Sequence, residues 1–173
     1  MAAFTVIDNT ELSSAATSWS KSSIPSSYDH LLLMASTRSS TANTYIYMKL
    51  HLNGDTGSNY SDNTVRATAN TPQADRNNSH AYMQTGNATA NNHTTGHFGT
   101  LKMWIPNYAN TTGYKQVMTH TTASGTSASA WYSAFDIAAG SWASTAAINQ
   151  IALSMGGGDF MQYSTFTLYG VSV

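Results

Sequence analysis

Cysteine is absent from this 173-residue chain, which excludes disulfides and thiolate metal sites and leaves the redox compartment unread. Charge is scarce as well: 9% of residues are charged and the net charge is −1, against about 25% charged residues in ordinary soluble domains. Such a chain lacks the basic stripe that holds nucleic acid. No run of eighteen apolar residues occurs, so no transmembrane helix and no membrane partner are expected. Residues 1–11 have neither a basic n-region nor a long apolar run, and no signal peptide is read there.

What is present supports a core. Apolar residues make up 41% and aromatics 11%, enough to disfavour disorder, and the length suits one domain over 1–173. Ser, Thr, Asn and Gly replace charge on the surface. A surface of hydroxyls and amides packs against neighbours at little desolvation cost.

The clearest pattern runs over residues 45–52, where Ile46, Met48, Leu50 and Leu52 alternate with Tyr45, Tyr47, Lys49 and His51. A period of two over eight residues is a half-buried strand. Asn53-Gly54 ends it. Further strands are expected at 4–7, 16–21, 30–35, 98–105, 114–122, 130–137, 146–154 and 162–171. Over 146–154, Ile148, Ile151 and Leu153 do not share one face, which predicts a bulge. Residues 53–97, rich in Asn and Thr, read as a long loop with short strands at 64–67 and 80–84. The expected fold is all-β: a single antiparallel sandwich of about eight strands, with a jelly roll as its natural form. Residues 1–15 are a candidate N-terminal arm.

Candidate chemistry is sparse. His93 and His97 lie four apart, but AsnAsnHisThrThrGlyHisPheGly is not helical and offers no carboxylate at ligand spacing, so a solvated loop is preferred to a metal site. Asn53, Asp55, Gly57 and Asn59 alternate as calcium ligands would. The bidentate glutamate such a loop needs is replaced by Thr64, and a turn held by Asx hydrogen bonds is the preferred reading. No Gly-x-Ser-x-Gly elbow occurs, Asp29 and His30 point to opposite strand faces, and Gly156-Gly157-Gly158 lacks the lysine of a phosphate loop. No enzyme activity, cofactor or metal is expected. Trp131 reads as core, whereas Tyr45, Tyr47 and Trp104 stand opposite apolar faces and are candidates for an interface or a second buried face.

Several segments carry a resemblance: Ile24-Pro25-Ser26-Ser27-Tyr28-Asp29-His30-Leu31, Arg38, Leu50 through Tyr60, Ile105-Pro106-Asn107-Tyr108 and Leu168-Tyr169-Gly170. In this order they resemble a pattern in small structural proteins of tailed bacteriophages. The resemblance implies a virion component without catalytic residues, of head-decoration or tail-fibre type. Because the first strands come almost at once, with no N-terminal anchor or shaft, a capsid cement protein is favoured. Such a protein clamps neighbouring major capsid subunits, commonly as a homotrimer, on a capsid surface assembled in the host cytoplasm. The expected interface comprises Phe4, Val6, Ile7, Tyr45, Tyr47 and Trp104, together with the 53–97 segment. The alternative is a receptor- or carbohydrate-binding tail-fibre module that stacks host-surface glycans on aromatic rings.

Overall fold

The alternation over residues 45–52 is realised as a strand with Met48, Leu50 and Leu52 fully buried on one side. The computed structural model describes residues 3–68, 71–127 and 130–173, with Ser127, Ala130, Trp131 and Tyr132 described by backbone alone. The reading of Trp131 as core therefore lies outside the described side chains.

Among the described residues twelve strands form: β1 (Ala3–Glu11), β2 (Ser18–Lys21), β3 (His30–Thr37), β4 (Tyr45–Leu52), β5 (Tyr60–Thr68), β6 (Thr71–His80), β7 (Met83–Thr89), β8 (Gly99–Pro106), β9 (Lys115–Ser127), β10 (Ala130–Trp142), β11 (Ile151–Met155) and β12 (Thr165–Ser172). They make two antiparallel sheets. The large sheet runs β1-β12-β3-β8-β9-β10-β5-β6, the small one β2-β11-β4-β7. The pairing is nested: β1 with β12, β2 with β11, β3 with β8, and β4 with β7. The pairs β5–β6 and β9–β10 are inserted into this scheme and extend the large sheet beyond β8.

The all-β expectation holds, with more strands than the eight read from periodicity. The long loop over 53–97 is corrected, because β5, β6 and β7 occupy most of it; the short strand expected at 64–67 lies within β5, whereas 80–84 spans the turn between β6 and β7. Their full length was hidden because their inward side chains are largely polar: Asp62, Thr64, Thr85, Asn87 and Thr89 are buried there, so hydrophobic alternation does not register. Within the candidate arm the strand expected at 4–7 is present and longer, over Ala3–Glu11. β1 hydrogen-bonds along β12, and a register shift between Val6 and Asp8 breaks its alternation. No bulge is needed near residue 148, since β11 begins at Ile151 and Ile148 precedes it, its N–H donating to the Tyr108 carbonyl at 2.9 Å.

One apolar cluster joins the facing sides of the two sheets. Leu31, Leu33, Met103, Ile105 and Leu168 of the large sheet meet Leu50, Leu52, Ile151 and Leu153 of the small one. The Trp19 ring on β2 lies parallel to Phe166 on β12, with centroids 4.9 Å apart, tying the sheets ring to ring. Leu50 is completely buried in this cluster. A Leu50→Ala variant is expected to lose about 3 kcal/mol of unfolding free energy, read as a lowered urea midpoint with an unchanged slope. A loss under about 1 kcal/mol would show that the site collapses around the gap.

Candidate functional site

The ionisable groups inside the protein are held by structural partners. Asp136 on β10 is buried. It accepts from the Asn87 amide (Nδ2, 2.9 Å) and backbone N–H (3.1 Å) and from the Thr121 hydroxyl (3.1 Å), with Arg66 Nε at 3.5 Å. Arg66 also pairs with Asp75. Asp62 on β5 accepts from Asn77 Nδ2 at 2.9 Å and from the Gln84 N–H at 3.1 Å. Burial pushes both carboxyls above their ordinary range despite these donors. They join β7 to β5 and β10 through a polar seam beside the apolar core.

The two candidate cation sites are occupied by the protein's own donors. Asp55 accepts from Trp142 Nε1 at 2.7 Å, Asn59 Nδ2 at 2.9 Å and the Gly57 N–H at 2.8 Å. These bonds, the tryptophan's first, hold its carboxyl below the usual range. The turn is thus held by Asx hydrogen bonds together with the Trp142 indole. At His93 and His97 the carbonyls that a cation would seek point instead at a buried arginine. Arg38 donates to the carbonyls of Thr94 (2.8 Å), His93 (2.8 Å) and His97 (3.4 Å) and to Asn91 Oδ1 (3.2 Å). His93 is buried against Gly125 rather than solvated. Among the described residues no three His, Cys, Asp or Glu side chains converge to hold a metal.

Outward-facing side chains give a different picture. On the large sheet, Phe4, Val6, Met34, Val65, Met118, Phe135 and Ile137 are each between 46% and 59% exposed. Strand register puts them on one face. One row crosses Val6, Tyr169, Leu32, Trp104, Met118 and Ala139. The next crosses Met34, Lys102, His120, Ile137 and Val65. Lys102, Trp104, Met118 and His120 line a depression of ≈ 320 Å³. A second, of ≈ 510 Å³, lies between Met34, Lys102, Thr167 and Tyr169. The Trp104 ring packs against His30, centroids 5.0 Å apart.

The small sheet's outer face carries an aromatic cluster. Tyr47 seats over Gly156, where a Cβ would come within 2.6 Å of its ring. It lies nearly parallel to Tyr82 at 6.3 Å, and Lys49 Nζ stands 4.9 Å from the Tyr82 centroid. The hydrogen bond with Tyr47, then burial, pushes the Tyr82 phenol up to about 12.

The six expected interface residues are therefore divided. Phe4, Val6 and Trp104 share the large sheet's outer face, and Tyr45 and Tyr47 the small sheet's. Ile7 turns inward at the register shift and packs on the core. Sequence reasoning missed Met34, Val65, Met118, Phe135 and Ile137 as members of the first face. The alternation of Met118, Phe135 and Ile137 was visible over 114–122 and 130–137, but an alternating apolar set is ordinarily the buried one.

The carboxyl shifts imply opposite pH dependences. Asp62 and Asp136 bind protons more tightly folded than unfolded, so their contribution is fully present below about pH 4 and is lost as pH rises above it. Asp55 contributes above that value and loses its contribution as pH falls below it. His51 is lowered by burial and by Lys49; its neutral folded form loses stability as pH falls below about 6.5. In a His51→Gln variant the urea midpoint is expected to fall between about pH 4 and about pH 6; a rise would contradict the raised carboxyls. Replacing Arg38 with Met should leave the sheets folded while amide exchange across 91–97 accelerates at least tenfold. Unchanged exchange would show that the arginine does not order the loop.

Comparison of this chain with protein-family models, with curated proteins and with solved structures found no match.

Proposed function

We propose that this chain is a non-enzymatic structural protein of a tailed-bacteriophage virion, a capsid decoration or cement protein that clamps neighbouring major capsid subunits as a homotrimer. The observation that carries this reading is the exposed apolar face of the large sheet. Contiguous apolar surface of more than a few hundred Å² marks an association site in a soluble protein. Here it sits on a body with only 9% charged residues, so little desolvation or charge repulsion opposes close packing. The nested pairing of β1 with β12, β2 with β11, β3 with β8 and β4 with β7 supports a sandwich of jelly-roll type. On that reading β5–β6 and β9–β10 are additions to an eight-stranded roll, an architecture used in viral capsids. Strand β1 has one neighbour in its sheet, and its open edge, carrying Phe4 and Val6, offers backbone hydrogen bonds to a capsid subunit by strand addition.

A second reading has its own observation. Tyr47, Tyr82, Lys49 and His51 form an aromatic and cationic surface on the small sheet, chemistry that suits stacking on a host-surface glycan. It makes the chain a receptor-binding module of a fibre or spike.

Copy number separates the two. A cement protein is expected at hundreds of copies per particle by gel densitometry of purified virions, and the isolated protein should bind expanded capsids and ignore cells. Low abundance with binding to cells or glycans would replace the first reading with the second.

A further inference from the structure

We propose that the outer face of the large sheet is occupied by a second copy of this chain. This rests on reading the chain as an assembly protein, and it names the partner for the side chains of that face, leaving only the backbone edge of β1 to other subunits.

The first argument is area. A large apolar side chain laid fully bare offers about 150 Å². Seven such residues, each about half exposed, present on the order of 500 Å². A stable interface of standard size takes about 800 Å² from each partner, about 60% of it apolar, or about 500 Å². The face therefore matches one partner of ordinary size.

The second argument is shape. A surface that binds its own copy must carry both the projecting and the receiving element. On this face they lie side by side. Phe135 and Ile137 project from β10, and the depression floored by Trp104 and Met118 lies on the adjoining β8 and β9. At the other end Phe4 and Val6 project beside the depression edged by Tyr169 and Met34. Each copy can give an apolar projection and receive one, which closes three copies as a ring.

The third argument is charge. The paired positions across the centre of the face are Leu32, Trp104, Met118 and Ala139 in one row and Met34, Lys102, His120, Ile137 and Val65 in the next. Lys102 is their one permanent charge. It lies at the rim of both depressions, so its ammonium reaches water on a long stem when the apolar rows close.

The test uses the isolated 173-residue chain, so capsid binding does not enter it. Sedimentation equilibrium at tens of micromolar is expected to give at least twice the 18.5 kDa of one chain. Ile137→Lys and Met118→Lys are each expected to return the mass to one chain, with circular dichroism unchanged. Methionine oxidation by dilute peroxide supplies a readout on the unaltered protein. Met34 and Met118 should oxidise several-fold more slowly at high than at low protein concentration, with Met48 and Met103 slow at both. A single-chain mass for the unaltered protein, or concentration-independent oxidation of Met34 and Met118, overturns the proposal. So does an oligomer that persists in both folded variants. Self-association without capsid binding would leave this inference standing and remove the cement reading; capsid binding by a strict monomer would do the reverse.

Discussion

Everything in this fold depends on burying the inward half of a two-residue period against a facing sheet. Strands β3, β8 and β12 turn Leu31, Leu33, Met103, Ile105, Phe166 and Leu168 to one side. Strands β4 and β11 answer with Met48, Leu50, Leu52, Ile151 and Leu153. Neither set could stay dry alone, since an isolated sheet leaves its apolar face in water. Nested pairing brings the two sets together while keeping every partner antiparallel. The stacked Trp19 and Phe166 rings then fix how the sheets face each other.

The inserted pairs follow a different rule. β7 lies against β5, β9 and β10 through Asp62, Thr85, Asn87, Thr119, Thr121 and Asp136, which are buried and hydrogen-bonded to one another or to backbone. A polar seam of this kind specifies register more tightly than apolar packing does. A slip would strand buried carboxylates without donors, a costlier error than a displaced methyl group. Gly86 belongs to the same design: at φ +98° its missing side chain leaves room for Thr121 and Asp136.

Four charged side chains, Arg38, Asp62, Lys115 and Asp136, are buried, and the outer face of the large sheet is apolar. Arg38 and Lys115 are buried with carbonyl partners, while half-exposed Phe, Met, Ile and Val side chains cover the large sheet's outer face. Backbone carbonyls partner the two buried cations, and amide and hydroxyl donors partner the two buried carboxyls. Arg38 orders residues 91–97 in this way, doing for the loop what a bound cation would do.

Local periodicity carried much of the fold. The alternations at 45–52 and 98–105 are strands that bury Met48, Leu50 and Leu52 and Leu101, Met103 and Ile105, and within the turn after Asn53 the Gly57 N–H and the Asn59 amide donate to Asp55. These depend on neighbours in the chain, so they were legible there. The full extent of the strands in 53–97, the pairing of β1 with β12, the roles of Arg38 and Asp136, and the sharing of one face by Phe4, Trp104, Met118 and Ile137 were not. Each depends on partners tens of residues away. An amino-acid sequence states which side chains alternate, whereas only the packed sheets decide which of two alternating faces meets another sheet and which is left to meet a partner.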